Sequence, residues 1–349
     1  MTTTERPLAR KFRLTVLNPV GRDPAQDFSS GQQNSVDAKK HAPVNFHAYA
    51  ACTGGVFHRD TKSAIAEGLP VLLLLRGDFR ESERALVELQ RRGLTVVVSL
   101  KETGLHQIAK QLSNPKRAAR FRAIVQAADG CLAATSEAPA SYPNGEFIPT
   151  PYPLHDPAWD FGRSLGERRG IFVGTREWDV PSRHHLTAVI LALQLGEPVT
   201  IFDQDKGRTK KIFSALGLPV EALRVLRKRL PYRDYLAEVS RHRIVVQADR
   251  SAVPGQVAGD ALLCRMPCVG GDGAIDRIAF PATCGFGRSL GELSEIARRL
   301  LHDNSFYAAN VAESQKQARA KLAFEVVAQQ LAQFFARVAL QPERASASK

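Results

Sequence analysis

The stretch "PGQVAGDALLCRMPCVGG", residues 254–271, sets the problem. It reads as a glycine-containing turn, a short apolar helix with one carboxylate at Asp260, and a small strand that opens at Pro267 and ends in glycines. Two readings are open. The stretch is either an ordinary βαβ packing unit or a helix whose amino end holds a ligand's phosphates. A helix N-terminus offers unpaired N–H groups and the positive end of the macrodipole, so an anion is stabilised there. Gly255 removes a Cβ from the approach, which makes the amides of Gln256 and Val257 candidate phosphate donors. Asp260, a turn further on, is placed to accept from ribose hydroxyls, as an acid does in dinucleotide sites. The alternative for Asp260 is a solvated carboxylate in the first half of a helix, which the dipole also favours.

Working outward, strand and helix signals alternate on both sides of this stretch. In the first half, 12–18, 44–51, 71–76, 94–100 and 130–136 read as strands; 80–93 and about 103–127 read as helices. The runs "VLLLLR" and "LTVVVSL" show no alternation, which suits parallel strands buried on both faces. The turn "ACTGG" is read as leaving the 44–51 strand, so Gly54 and Gly55 are candidates for close approach to an acceptor or phosphate; a plain tight turn explains them as well. Four prolines in "FIPTPYPLHDPAW" (147–159) mark a linker. The pattern then restarts, with strands at 170–175, 199–203 and 243–248, helices at 184–196, 210–217 and 232–242, and two closing helices at about 290–302 and 307–338. Alternation on both sides of a linker predicts an α/β protein of two doubly wound, Rossmann-like domains facing across a cleft. The expected domains are 1–152, 153–320 and a C-terminal helix and tail at 321–349 packing back across both. In such sheets the ligand sits at the carboxyl ends of the strands, and the crevice between domains is the default site.

Composition narrows the class. A chain of 349 residues with 44% hydrophobic and 24% charged residues suits a two-domain globular protein. No run approaches the ~18 apolar residues of a spanning helix, and the N-terminus carries no apolar leader segment, so a cytoplasmic location is expected. The five cysteines form no CxxC pair, which argues for reduced, buried thiols and against a zinc site. The net charge of +13 favours anionic partners, although no nucleic-acid-binding signature accompanies it and no nucleic acid is expected.

Several segments in order resemble the GT-B glycosyltransferases, in particular the retaining, nucleotide-sugar-dependent group called family 4. "ADGCLAATSE…FIPTPYPL" resembles the end of that family's N-terminal domain, and "GIFVGTREWDVPSR" its first C-terminal-domain strand and loop. "LPYRDYLAEVSRHRIVVQADRS" is similar to the segment around the nucleobase, and 254–271 to the diphosphate helix and the strand after it. The resemblance implies transfer of a sugar from a nucleotide-diphosphate donor, UDP or GDP, to a glycan or lipid-linked acceptor, with no cofactor and no metal. It places Gly174, Thr175, Gly255, Gln256, Val257 and Asp260 on the donor, Leu230 and Tyr232 near the base, and Arg176 and Arg183 at the diphosphate. Charge developing on that leaving group would have to be met by cations and amides. Lys206 and Arg208 are alternative cations, though a solvated loop accounts for them more simply. The family's E-x7-E pattern keeps its second acid at Asp260, while its first falls on Ala252. The family's histidine near the sugar is also displaced, leaving Glu102 and His106 as the acid/base candidates.

The basic stretch 113–128, with Lys116, Arg117, Arg120 and Arg122, suits either a solvated face or peripheral attachment to an anionic membrane. Two other readings accompany the transferase: a non-catalytic GT-B-like binder of nucleotide sugars or partner subunit, favoured by Ala252, and a nucleotide-sugar epimerase.

Overall fold

The computed structural model describes residues 12–30, 41–142, 144–203, 207–218, 221 and 223–340. The first half forms a seven-stranded sheet in the order β2-β3-β1-β4-β5-β6-β7. Its strands are β1 (Thr15–Leu17), β2 (Gln26–Asp27), β3 (Val56–His58), β4 (Val71–Leu75), β5 (Val96–Leu100), β6 (Gly130–Ala133) and β7 (Gly145–Phe147). All pairings are parallel except β2 on β3. Every residue of β4 and β5 is buried, as their unbroken apolar runs require of central strands covered on both faces. The second sheet, order β10-β9-β8-β11-β12, is wholly parallel. It comprises β8 (Ile171–Val173), β9 (Val199–Phe202), β10 (Leu223–Leu226), β11 (Ile244–Val246) and β12 (Cys268–Val269). The architecture is the expected pair of doubly wound α/β sheets.

Both sheets reverse their winding at a definable place. In the second, the chain runs outward from β8 through β9 to β10, then returns to the other side of β8 at β11 and β12. In the first, β3 lies on one side of β1 and β4 on the other. The gaps β8/β11 and β1/β4 are therefore topological switch points, where the connections leave in opposite directions and open a crevice at the carboxyl ends.

Three expectations are corrected. The predicted strand 44–51 is a helix, α1 (Phe46–Cys52). All seven of its residues are buried, between the first sheet and the last helix, so its sequence carries no polar stripe to reveal a helical period. The predicted helix 103–127 is two, α4 (Leu105–Leu112) and α5 (Pro115–Ala127), because Asn114 caps the second and Pro115 opens it. The predicted helix 307–338 likewise divides into α12 (Asn304–Lys321) and α13 (Phe324–Ala339).

At that break the backbone N–H of Tyr152 donates to Leu322 O at 2.8 Å, so the chain's two passages between the halves lie side by side. The last helix, α13, then lays Val327, Leu331, Phe334, Phe335 and Val338 onto the first sheet's core. All five cysteines are buried thiols. Among the described residues no helix is long and apolar enough to cross a membrane.

The α1 correction also moves Gly54 and Gly55. They join a helix to the amino end of β3, the edge opposite the strand ends that carry ligands in this architecture. A Cβ on Gly55 would lie 1.9 Å from Leu14 O, so the residue lets β3 close onto the chain entering β1. Gly55→Ala forces backbone against backbone and should destabilise the protein by about 1–3 kcal/mol, measured by urea unfolding; an unchanged midpoint would show that the site yields freely.

Candidate functional site

The crevice at the second switch point holds a cavity of about 610 Å³. Its floor follows from one close approach. A Cβ on Gly174, the residue after β8, would lie 2.2 Å from Val257, so only glycine lets this strand end meet the first turn of α9 (Gln256–Leu263). Gly255, in the left-handed region at φ 93°, turns the chain into that helix, and among the described residues no side chain caps the helix's first amides. Thr175, buried beside Gly174, shares a 3.0 Å hydrogen bond with His185 Nδ1. Burial lowers that imidazole to about 4, so it is neutral and holds the threonine by hydrogen bonding alone.

Gly174, Thr175, Arg176, Arg183, Leu230, Tyr232, Gly255, Gln256, Val257 and Asp260 all line this one cavity. Arg183 is tied to Glu177 at 2.8 Å and by a short contact to buried Asp249, which fixes its position. Arg176 is exposed, with no carboxylate within ion-pair distance among the described residues. Arg229, between β10 and α8 (Tyr232–Val239), supplies a third cation that sequence reasoning missed. Its only signal was a basic run, "RKR", before the Leu230–Tyr232 segment. Arg208, the alternative cation, pairs with Asp179 and does not line the cavity; Lys206 lies outside the described residues.

The site's acid is not a solvated one. Asp260 is only 3% exposed; it accepts from the Tyr232 hydroxyl at 2.5 Å and also from Tyr235. Burial raises its carboxyl to about 7, and the two tyrosines and Arg176 offset only part of that. A group whose pKa is higher folded than unfolded holds its proton more tightly in the native state. Its contribution to stability is therefore complete below the unfolded value of 3.8 and is lost as pH rises through about 7. Asp260→Asn should remove this fall, so the difference in unfolding free energy between wild type and variant should change steadily between pH 4 and pH 8. A pH-independent difference would place the titration elsewhere.

The opposite wall comes from the first half: Asp23, His41, Ala42, Val44 and Asn45. Asn45 Nδ2 donates to Gln256 Oε1 at 3.1 Å across the cleft, and Val44 packs into the second sheet's core. Burial pushes the Asp23 carboxyl up, but the hydrogen bond and charge of Lys101, 2.9 Å away, outweigh it and hold the group below its ordinary range. Glu102 and His106 do not line the cavity. Glu102 accepts from Gln111 at 3.0 Å, and His106 Nδ1 lies 3.4 Å from Ser182 Oγ in the contact between halves. Ala252 is buried in the left-handed region at φ 46°, and it too is absent from the lining. A hollow of about 650 Å³ lined by Arg13, Phe28, Cys52, Gly54 and Phe324 lies at the amino edge of the first sheet, away from both switch points.

With this geometry in view, comparison with solved structures is informative. Sucrose-phosphate synthase from Thermosynechococcus elongatus superposes with a TM-score of 0.64 over 94% of this chain and 99% of its own, at 14% identity. The Anabaena protein HepE, solved with UDP and glucose, gives 0.60 over 93% and 100% at 12% identity. A glycosyltransferase from Rickettsia africae gives 0.59 over 95% and 100% at 8% identity. The fold is GT-B. No protein-family model matches the chain, and no curated protein matches it. The likeness thus lies in the arrangement of two whole domains, while the side chains that line the cleft have to be read from this chain itself.

Proposed function

We propose that the chain is a glycosyltransferase that takes a sugar from a nucleotide-diphosphate donor, UDP-linked in preference to GDP-linked, and passes it to a glycan or lipid-linked acceptor. The observation that carries this reading is the convergence on one cavity of α9's uncapped amides and three arginines, Arg176, Arg183 and Arg229. The preference for UDP is supported by HepE, solved with UDP and with UDP-glucose.

In this reading the diphosphate lies against the amides of Gln256 and Val257, the base lies near Leu230 and Tyr232, and Asp260 meets the ribose. The bond from the sugar's anomeric carbon to the phosphate oxygen breaks, and the charge left on the diphosphate is met by the amides and arginines. Fixed dipoles and cations in a partly desolvated cleft stabilise such charge with little reorganisation. In a retaining course the acceptor oxygen bonds to the anomeric carbon and its proton passes to the leaving phosphate oxygen, so the absence of Glu102 and His106 from the cavity does not preclude turnover.

Peripheral membrane attachment through 113–128 would have to be electrostatic. Phe121 is buried, and Arg120 is engaged by Glu83 at 2.9 Å, leaving Lys116, Arg117 and Arg122 exposed. Ala252 favours a second reading, a GT-B-like protein that binds a nucleotide sugar without turning it over.

Thermal unfolding against UDP, GDP, ADP and their sugars tests the donor site. A ligand at ~100 times its Kd adds ~2.7 kcal/mol to native stability. One nucleotide should raise Tm, and Arg176→Ala should weaken it by about tenfold, as expected for a lost charged hydrogen bond. Absence of any shift would remove the nucleotide-sugar reading. A shift without release of nucleoside diphosphate from any sugar nucleotide would favour the non-catalytic one.

A further inference from the structure

The first sheet has its own switch point, and the chain positions that follow its strand ends carry cations. The strand ends there are each followed by a cation: Arg59 after β3 and its closing His58, Arg76 directly after β4, and Lys101 directly after β5. The turn that leaves β1, Asn18–Asp23, adds Arg22. Parallel pairing puts these strand ends along one edge.

The turn is built tightly onto that edge. The Asn18 amide N–H donates to His58 O at 2.9 Å, Val20 N–H donates to Arg59 O at 3.0 Å, and Arg76 Nη1 donates to Val20 O at 2.9 Å. A Cβ on Gly21 would lie 2.2 Å from the Asn18 side chain, which in turn donates to Asp23 at 3.0 Å. Val20 is held in the left-handed region at φ 51° with 67% of its surface exposed. A β-branched residue rarely adopts that conformation, and strain of this kind clusters at ligand-binding turns.

Lys101 is neutralised by Asp23. The other acids near these strand ends are also engaged: Asp60 accepts from Ser63 N–H, and Asp78 pairs with Arg80. Among the described residues no carboxylate comes within ion-pair distance of Arg22, Arg59 or Arg76. Three arginines that meet at the Val20 turn exceed what a single carboxylate can occupy. A phosphate monoester carries close to two negative charges and three free oxygens, and a lipid phosphodiester one charge and two free oxygens; either can accept from more than one fork.

We infer that Arg22, Arg59 and Arg76 form a phosphate site on the acceptor side of the cleft, so that the acceptor carries a phosphate group near the hydroxyl that is glycosylated. The same turn ends at Asp23, which lines the donor cavity, so the bound phosphate sits one turn of chain from it. The inference rests on the donor reading for its word acceptor, but the anion site stands on the arginines alone. The phosphate belongs either to a free phosphorylated sugar or polyol, or to a lipid headgroup.

The test uses the full chain with saturating UDP, which fills the donor's own diphosphate site. One arm titrates hexose 6-phosphates and glycerol 3-phosphate against the unphosphorylated compounds by calorimetry. The other measures sedimentation with phosphatidylcholine vesicles with and without phosphatidylinositol. At least one phosphorylated probe should bind about tenfold or more tightly than its neutral counterpart, the gain expected of one charged hydrogen bond. Binding in the first arm alone identifies a free phosphorylated acceptor, and in the second alone a headgroup.

Arg22→Gln/Arg59→Gln, which leaves the Arg76 to Val20 hydrogen bond in place, should abolish that preference while the UDP-induced Tm shift persists. No preference for phosphate in either arm, or one unchanged in the double variant, would overturn the site. If UDP itself fails to bind, the donor reading falls, and the same titrations without UDP still decide the anion site.

Discussion

The approach of β8's end to α9 is the contact on which the cleft depends. With no side chain at Gly174, the strand and the helix's first turn meet, and the uncapped amides of α9 come to the β8/β11 switch point where Arg176 and Arg183 also emerge. A Cβ at 174 would press on the Val257 side chain and force the strand end and the helix's first turn apart. The second sheet is parallel throughout, so its strand ends and the loops that follow them open on one side. The first sheet, parallel but for its edge strand, brings its own strand ends to the same space, and the cavity is lined from both.

Charge is distributed unequally across this space. On the donor wall Arg183 is held between Glu177 and Asp249, while burial raises the Asp260 carboxyl to about 7 against the opposing pull of two tyrosines and Arg176. On the facing wall, Lys101 and Asp23 neutralise each other, while Arg22, Arg59 and Arg76 along the same edge have no carboxylate partner among the described residues. Side-chain pairs that close across the middle, Asn45 with Gln256 and Glu137 with Arg277 at 2.5 Å, hold the two walls together without using those arginines.

Much of the second half was legible because its signals are local. Gly255, the apolar run after it and the isolated Asp260 announce a helix N-terminus with one acid, and β8 is announced by "GIFVGT". What was not legible is what those groups meet. Asp260 reads as a solvated carboxylate or a ribose ligand; only the fold brings Tyr232 and Tyr235, more than twenty residues away, onto it. Arg229 was hidden in a basic run because nothing in "RKR" says which cation turns inward. In the first half, α1 was misread because a helix buried on every side has no polar face to set its period, and Gly54 and Gly55 went with it to the wrong edge of the sheet.

The sequence by itself determined that there are two α/β halves, that their central strands are buried on both faces, and that a glycine-led helix lies in the second. These are consequences of apolar runs, helix caps and turn residues, which act over a few positions. Only the tertiary structure decided which strand ends lie side by side, which acids are engaged, and which arginines lack a carboxylate partner among the described residues. Strand order in a parallel sheet is set by the crossovers, and crossovers join residues tens of positions apart, beyond the reach of any local pattern.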